Sequence, residues 1–439
     1  MPVKPTIYVW EHEFLPIGKV FNVLVNGEEK SVEFSRHYFI LLEKYLERHN
    51  RRLAYMFDTS RRSGKDGILF KQYVGVITVK DLTIYVLPKA DKDAKEETGD
   101  KDLWQDRLIF MLSQVYKLNV QTTAPANLQR KPNMLLNIFL KKFLDEVAVL
   151  LNRGLIKTYR KTDGNRTALK GKLLFNKQIA YNCVHQERFY VRYTTYDYNH
   201  ILNRIIRQAL LATHDITNSS DIKGRATSTL FNFPELDEIP VTPELFSHLI
   251  FDRKSEDYRN VIKLAEMILL NYSPDLQRGS NHVWTLMFDM NKLWEEYVFI
   301  MLRNQLWGRY EVNAQESRDF WGQDDVASKH IRPDIVIRER NAGKVIAILD
   351  TKWKCPDQTP SDGDLHQMFA YAKMFKTEKV ALIYPSVKDG EMRKGHFWDN
   401  TTSCDMVFLS LKDKVIIKEE VKRLFEGWLI LSPQVSINK

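Results

Sequence analysis

The sequence predicts an α+β protein of several domains, and three observations lead to this class. Residues 1–90 are dominated by short β-branched and aromatic runs, which favour strands. From Leu103 the apolar residues recur at three- and four-residue spacing, which favours helices. After Ser280 the order becomes helix, three strands, helix, strand, which suits a mixed sheet flanked by helices. We therefore predict a β-rich domain at 1–100, a helical domain with a small β insertion at 101–280, and an α/β domain at 281–439.

The N-terminal domain is predicted to consist of strands around one helix. Thr6–Trp10 and Gly75–Val79 are strand-like runs, and the second leads through a short turn into Leu82–Leu87, which predicts a hairpin. Ser35–Asn50 interrupts the strands with helical spacing. The charged or small residues of Ala90–Asp102 are then the best linker candidate in the chain.

The middle domain is predicted to be helical, with strand-like pieces in the basic stretch Ile156–Arg192. Its helices are predicted at Leu103–Leu118, Asn133–Asn152, His200–His214 and Tyr258–Asn271. A loop at Pro274–Ser280 leads to the third domain. There, helices are predicted at Leu286–Arg303 and Asp362–Phe375, and strands at Tyr310–Gln315, Asp334–Arg338, Val345–Asp350 and Lys379–Tyr384.

The positive charge of the chain is concentrated in one segment. The formal net charge is +9, and Asn152–Leu230 alone holds 14 Lys and Arg against 5 Asp and Glu. Aromatic residues are interleaved with these cations, a pattern that suits phosphate neutralisation and base stacking. A solvated basic face with structural tyrosines explains the same pattern. If the segment binds DNA, the candidate contacts are Arg188, Arg192, Lys170 and Lys172.

Composition excludes several classes of protein. No apolar run approaches the ~20 residues that span a bilayer, and the first residues lack the apolar core of a signal peptide. The three cysteines are scattered without CxxC spacing, so neither a disulfide framework nor a four-thiolate cluster is expected. We therefore expect a cytoplasmic protein that does not enter the membrane.

Two short motifs in the third domain suggest a catalytic site. Asp334 follows Arg332-Pro333, and the apolar run Val345–Leu349 ends in Asp350-Thr351-Lys352. Asp350 and Lys352 are two residues apart, so on a strand they project to the same face. Two aspartates offer the oxygen ligands that Mg²⁺ or Mn²⁺ prefers, and the lysine can orient a water or pair with phosphate oxygens. An isolated D-x-K is more often a surface ion pair, but the preceding Pro-Asp and the apolar run favour a metal site.

Neighbouring helices supply further candidates for this site. Gln367 and Tyr371 lie at i and i+4, hence on one helical face, where both can hydrogen-bond a metal ligand, the lysine or a phosphate. In the upstream helix, Glu295, in preference to Glu296, is the candidate for an additional metal ligand. An ordinary amphipathic helix with solvated glutamates is the alternative.

Taken together, these residues resemble a known family. The combination of Pro-Asp, Asp350-Thr351-Lys352, an upstream helix glutamate and Gln367-x₃-Tyr371 is similar to the PD-(D/E)xK nuclease superfamily. Asp289–Glu295, Tyr73–Ile77 and Leu87-Pro88-Lys89 further resemble the McrC-like nuclease subunits of McrBC-type, modification-dependent restriction systems. The resemblance runs through most of the chain and is strongest over about 286–384. It implies a Mg²⁺-dependent endodeoxyribonuclease.

The resemblance also implies a partner, a McrB-like AAA+ GTPase hexamer that recognises modified DNA. The sequence has no G-x₄-GK[ST] phosphate loop, so such a motor must be another chain. The N-terminal domain is then expected to be a docking module separable from the nuclease, with Arg61, Arg62 and Lys65 as candidate contacts. Two alternatives remain: a non-catalytic DNA-bridging adaptor, and a free-standing RecB-like exonuclease.

Overall fold

The computed structural model describes residues 5–25, 28–48, 53–89, 98–118, 134–217, 219–270, 272–273, 283–323, 326–354, 356, 358–399, 401–411 and 414–430. Two predicted segments are affected by these limits. The loop Pro274–Ser280 lies outside the described residues, as do residues 90–97 of the predicted linker. The rest of that linker, 98–102, is the first part of a long helix.

The described elements have the following bounds. The strands are β1 Thr6–Trp10, β2 Phe14–Pro16, β3 Val20–Val25, β4 Glu28–Glu33, β5 Phe57–Arg62, β6 Lys65–Phe70, β7 Tyr73–Val79, β8 Leu82–Leu87, β9 Thr158–Arg166, β10 Lys172–Leu173, β11 Phe189–Asp197, β12 Tyr272–Ser273, β13 Val283–Asp289, β14 Tyr310–Ala314, β15 Arg318–Gln323, β16 Val326–Ile331, β17 Ile335–Glu339, β18 Val345–Thr351, β19 Lys379–Ser386, β20 Glu391–Arg393 and β21 Ser403–Ser410. The helices are α1 Arg36–Arg48, α2 Thr98–Tyr116, α3 Met134–Arg153, α4 Phe175–Asn182, α5 Ile201–Ile216, α6 Ser220–Phe231, α7 Pro243–Ser247, α8 Arg259–Leu270, α9 Met290–Gln305, α10 Asp362–Phe375 and α11 Lys414–Ile430. Among the described residues, none of these helices has the length and apolarity needed to cross a bilayer.

The chain divides into two compact units. The described residues between 134 and 286 form one unit, and those between 5 and 118 together with those between 287 and 430 form the other. This division differs from the three predicted domains, because the N-terminal strands and the C-terminal region share a unit. Which segments fold independently therefore stays a prediction.

In the shared unit, the N-terminal residues build a buried sheet. Strand β1 pairs in parallel with β8, and β8 pairs with β7 in the predicted antiparallel hairpin. All six residues of β8 are buried, as the unbroken apolar run Leu82–Leu87 leads one to expect. The start of helix α9 is tied to this region, since Met290 donates its backbone N–H to the Gln72 carbonyl at 3.0 Å.

The C-terminal residues of the same unit form a six-stranded mixed sheet in the order β14-β17-β18-β19-β21-β20. Strands β18, β19 and β21 are parallel, and the other pairs are antiparallel. Helix α10 packs Met368, Tyr371 and Phe375 against the apolar side chains of β17, β18 and β19. Helix α9 packs against β14 and β18, and α11 against β21. The predicted helix–strand order is therefore confirmed at the level of a mixed α/β fold.

The middle unit is mainly helical, with a small sheet in the order β10-β11-β9. Helix α5 packs against α6 and α8, and α3 packs against α6 and α8. In the small sheet β9 and β11 pair antiparallel over nine residues. Gly171 makes the approach of β10 possible: its φ is +85°, and a Cβ there would meet the Arg192 carbonyl oxygen at 2.2 Å.

One predicted helix boundary was wrong. The sequence predicts a helix from Leu286, but residues 286–289 complete the buried strand β13, and helix α9 begins at Met290. Asp289 marks the boundary because its side chain accepts a hydrogen bond from the Asn291 N–H at 3.0 Å, which caps the helix. A short apolar run fits both periods, so only its place in the sheet decided the outcome.

Candidate functional site

Two adjacent strands bring Asp334 and Asp350 to the same end of the mixed sheet. Asp334 stands directly before β17, and Asp350 is the penultimate residue of β18. These strands pair antiparallel with Ile335 opposite Leu349. Thr351 then holds Asp334 in place, because its backbone N–H and its hydroxyl donate to Asp334 Oδ2 at 2.7 and 2.8 Å.

Asp350 is a deeply buried acid. Only 2% of the residue's surface is exposed to solvent. Burial, followed by the charge of Asp334, raises the pKa of Asp350 to about 7, although Lys352 acts to lower it. Its Oδ2 atom lies 2.7 Å from Lys352 Nζ and has no other hydrogen-bond partner among the described residues. A buried carboxylate with so little compensation is costly, which is typical of a functional site.

Lys352 faces the same helix as Asp350. It follows β18 directly, and its backbone N–H donates to the Ile383 carbonyl at 2.9 Å, which continues the sheet. Its ammonium donates to Gln367 Oε1 at 3.1 Å in addition to its contact with Asp350. Burial alone lowers the pKa of Lys352, but the carboxylates of Asp350 and Asp364 outweigh burial and raise it. The lysine therefore stays charged at neutral pH.

Gln367 and Tyr371 extend this network along helix α10. Gln367 Nε2 donates to Asp350 Oδ1 at 3.4 Å and to the Tyr371 hydroxyl at 2.7 Å. The hydroxyl in turn donates to the Arg332 carbonyl at 3.1 Å. Burial, followed by the charge of Asp350, raises the pKa of Tyr371 to about 12, so the phenol remains a donor. The structure thus brings Gln367 and Tyr371, the two site candidates on α10, close to Asp350 and to the start of β17.

Glu295 lies close enough to the aspartates to be affected by their charge. Its Oε1 accepts a hydrogen bond from Gln315 Nε2 at 2.6 Å. Burial, and then the charge of Asp334, raise the pKa of Glu295. Glu296, the next residue, is exposed. The orientation of α9 therefore turns Glu295, the preferred residue of the pair, toward the site.

Asp364 belongs to this cluster, although the sequence analysis did not single it out. Its Oδ1 lies 3.5 Å from Lys352 Nζ, and its Oδ2 accepts hydrogen bonds from Lys354 Nζ at 2.5 Å and Ser361 Oγ at 2.7 Å. Burial alone raises the pKa of Asp364, but the hydrogen bonds from Lys354 and Ser361 outweigh burial and lower it. Ser361 also accepts from the Asp364 N–H at 3.3 Å, a reciprocal capping arrangement. The Ser-x-x-Asp pattern before α10 was the sequence signal for this residue.

The donor set of the site fits one hard divalent cation. Among the described residues, no three His, Cys, Asp or Glu side chains come together as a complete cage. Mg²⁺ needs only one or two carboxylates, because waters and phosphate oxygens complete its octahedron. Asp334 and Asp350 provide two carboxylates that repel each other, and a cation beside them would relieve that repulsion. The Oδ2 atom of Asp350, whose one contact is the Lys352 ammonium among the described residues, fits the same role.

The predicted DNA contacts lie in the middle unit, on or beside the small sheet. Lys172 stands opposite Arg192 in the register of β10 and β11, and Lys170 is exposed just before β10. Arg192 makes two hydrogen bonds to Asp163, at 2.7 and 3.0 Å, so its charge is locally balanced. Arg188 is exposed next to β11.

The predicted partner contacts lie on a hairpin, not on a long loop. Strands β5 and β6 are joined by Ser63 and Gly64, both with positive φ, which is the geometry of a tight two-residue hairpin turn. Arg61, Arg62 and Lys65 flank this turn and are exposed. Their role stays a prediction.

Comparison with known proteins identifies the family. A family model described as "McrBC 5-methylcytosine restriction system component" matches residues 68–385. The "Type IV methyl-directed restriction enzyme EcoKMcrBC" of Escherichia coli (strain K12) is 24% identical over 294 residues, which are 61% of this chain and 82% of that protein.

A solved structure shares the fold. It is described as a half-complex of a tetradecameric assembly of Thermococcus gammatolerans McrB AAA+ hexamers with bound McrC, and the match has a TM-score of 0.60 at 18% identity. It covers 96% of this chain and 100% of that chain. The expected resemblance to McrC-like subunits is thereby confirmed, whereas the nuclease superfamily stays a prediction. The family match spans well over half of the sequence, and the chain therefore belongs to the McrBC 5-methylcytosine restriction system component family.

Proposed function

We propose that this chain is the DNA endonuclease subunit of a GTP-dependent restriction complex. The observation that carries the proposal is the cluster of Asp334, Asp350 and Lys352 at one end of the mixed sheet. A buried acid with a pKa near 7, beside a second carboxylate and a lysine, is costly to fold and suited to phosphodiester hydrolysis. We propose DNA containing 5-methylcytosine as the substrate, after the description of the family.

The residues of the site divide the work among them. Asp334 and Asp350 would hold Mg²⁺ or Mn²⁺, with Glu295 as a further candidate ligand. When bound, the cation would supply charge stabilisation to the scissile phosphate and acidify a water. Lys352, which donates to Gln367, would orient the attacking water or contact a phosphate oxygen. Tyr371 anchors Gln367 and thereby fixes the direction in which the amide points.

The partner in this proposal is a McrB-like AAA+ GTPase hexamer. The matched assembly contains McrB AAA+ hexamers with bound McrC, and the present chain lacks a phosphate-binding loop of its own. We infer that the N-terminal strands dock on the partner and stimulate its GTP hydrolysis. The proposed contacts remain Arg61, Arg62 and Lys65. Their side chains are exposed on a hairpin and are positively charged, so they can bind an acidic or nucleotide-binding surface of the partner.

Cleavage of circular DNA tests the whole proposal. We expect methylated circles to be linearised only when the chain, its GTPase partner, GTP and Mg²⁺ or Mn²⁺ are all present. Ca²⁺ should support DNA binding better than cutting, and excess EDTA should stop the reaction. Cutting that persists in EDTA would exclude the metal mechanism. Degradation that needs DNA ends but neither partner nor GTP would support a free-standing exonuclease, and DNA binding without any cutting would support an adaptor.

A further inference from the structure

One face of the small sheet in the middle unit is only half covered by the residues that the structure describes. Because β9 and β11 pair without a shift, side chains of alternate residues form cross-strand pairs on this face. The four pairs are Tyr159–Tyr196, Lys161–Thr194, Asp163–Arg192 and Asn165–Tyr190.

Helix α4 covers one end of this face. Asn182 donates to Asn165 Oδ1 at 2.6 Å, and the Tyr181 ring stacks on Tyr190 with centroids 5.4 Å apart. Lys177 reaches Asp163 at 3.4 Å. The pairs Tyr159–Tyr196 and Lys161–Thr194 lie beyond these contacts, at the other end of the sheet.

The uncovered end combines aromatic rings with lysines. The rings of Tyr159 and Tyr196 stack on each other with centroids 4.5 Å apart, although the two residues are 76% and 57% exposed. Lys157 lies 5.8 Å from the Tyr196 ring centroid, and Lys161 is exposed on the neighbouring pair. Lys157, Tyr159, Lys161 and Tyr196 are called the open tyrosine–lysine face below.

The two acids of strands β9 and β11 are both paired with cations. Asp163, the acid on the same side of the sheet, is bound by Arg192 and Lys177. Asp197 alternates to the opposite side and pairs with Arg160 at 3.1 Å. Lys157 and Lys161 are therefore the charges that a ligand on the open face would meet first. Exposed rings between cations fit a polyanion whose flat groups can stack.

We propose that the open tyrosine–lysine face binds an unpaired strand of DNA, with bases stacking on Tyr159 and Tyr196 and phosphates contacting Lys157 and Lys161. Stacking requires bases that are free of a partner strand, which is why the proposal specifies single-stranded DNA. The proposal rests on the proposed function only in taking DNA as the ligand. It also shifts the expected contacts away from Arg192, whose guanidinium is already bound to Asp163.

A protein ligand fits this face less well than DNA. The side chains that suit an apolar protein surface lie elsewhere, on helix α4, where Phe175 and Ile179 are exposed one turn apart. The open face instead carries phenols and ammonium groups on the antiparallel pair of β9 and β11. A protein partner at this face is therefore an outcome that the experiment must be able to reveal.

The test measures binding of a labelled oligothymidylate of about 16 nucleotides to the full-length protein in EDTA, beside a duplex of the same length. Replacing the stacked pair by Tyr159→Thr and Tyr196→Thr keeps the strand propensity but removes both rings. We expect single-strand affinity to fall about 10-fold or more, with an unchanged salt slope. Lys157→Gln with Lys161→Gln should reduce the slope of log affinity against log salt by about 1.4.

Matched controls separate this face from general effects. Tyr159→Phe with Tyr196→Phe should bind like the wild type because both rings remain. Phe231→Ala removes a ring on α6 that is even more exposed than the two tyrosines and lies outside the face. The binding is measured in EDTA and requires no cleavage, so a failure of the nuclease assignment would not affect this result. Unchanged binding by the threonine variant, an equal loss for duplex and single strand, or loss of a protein partner without loss of DNA binding would each overturn the proposal.

Discussion

Glu11, the residue after strand β1, accepts a hydrogen bond from Trp353, the residue after Lys352. Trp353 Nε1 donates to Glu11 Oε1 at 2.7 Å, and the Lys89 backbone N–H donates to the same oxygen at 2.6 Å. The Trp353 ring also packs against Trp294, with centroids 5.6 Å apart. A buried acid thus joins the N-terminal sheet to the segment that carries Lys352.

The first prediction concerns the charge of Glu11. Burial raises the pKa of Glu11 to about 7 from 4.5, and its Oε2 has no hydrogen-bond partner among the described residues. An acid with a raised folded-state pKa holds its proton more tightly in the folded state, so stability falls as pH rises from about 4.5 to about 7. Glu11→Gln keeps the accepting oxygen and removes this penalty. We expect the variant to gain up to about 3 kcal/mol relative to the wild type across that window.

Urea unfolding at several pH values measures this gain. The exposed Glu28→Gln on β4 is the matched control and should follow the wild type at every pH. A Glu11→Gln variant whose stability runs parallel to the wild type from pH 4.5 to 7 would refute the assignment of the buried charge.

The second prediction concerns the three residues at the centre of the site. Asp334→Ala, Asp350→Ala and Lys352→Ala should each reduce cleavage by about 10³-fold or more, because each removes several kcal/mol of transition-state stabilisation. Partner binding should be unchanged in all three. Plasmid linearisation in the reconstituted complex measures the first effect, and co-purification measures the second. Near-normal DNA cleavage by Asp350→Ala would show that the active site does not lie at this end of the sheet.

The third prediction separates the two neighbouring glutamates of α9. Glu295 is half-buried beside Asp334, whereas Glu296 is exposed. Glu295→Gln should therefore raise the Mg²⁺ concentration needed for half-maximal cleavage by about 10-fold or more, as loss of a ligand or of a group orienting a ligand does. Glu296→Gln should leave that concentration unchanged. Equal behaviour of the two variants in a metal titration would exclude Glu295 from the site.

The fourth prediction concerns the basic residues of the small sheet. Replacing Arg188 and Arg192 together with glutamate should weaken duplex binding and flatten its dependence on salt. Partner-stimulated GTP hydrolysis without DNA should not change. Arg188→Gln should have the larger effect of the two single variants, because Arg192 is held by two hydrogen bonds to Asp163, whereas Arg188 makes only a 3.4 Å ion pair with the exposed Glu187. An unchanged salt slope in the double variant would leave these arginines as a solvated face.

The fifth prediction concerns truncation of the N-terminal strands. If the N-terminal domain is a separable module, as the sequence predicts, a chain that begins at Asp102, the end of the predicted linker, should fold with an intact metal site. In the structure, that truncation removes the Glu11 bond to Trp353 and the Gln72 carbonyl that holds Met290. We now expect the shortened chain to lose both partner binding and several degrees of melting temperature. An unchanged melting temperature, measured by circular dichroism, would instead support the prediction that the N-terminal strands are a separable module.

The sequence by itself determined the local elements and the spacing of the catalytic candidates. Strands such as Leu82–Leu87 and the helix Asp362–Phe375 follow from apolar periodicity, which is a property of neighbouring residues. The two-residue spacing of Asp350 and Lys352 dictated a common face, and both side chains do reach Gln367. The i, i+4 spacing of Gln367 and Tyr371 likewise predicted that the two side chains share one face of the helix, where they form a hydrogen bond.

Only the tertiary structure decided which residues far apart in the sequence contact each other. The bond between Glu11 and Trp353 joins residues 342 positions apart, and no local pattern specifies which distant acid will meet a buried indole. The approach of Asp364 to Lys352 required α10 to pack on β18, and the pairing of Arg192 with Asp163 required the register of β9 and β11. Residues 286–289 became a strand for the same reason. Burial against a sheet outweighs the intrinsic preference of a short apolar run, and that burial exists only once the chain has folded.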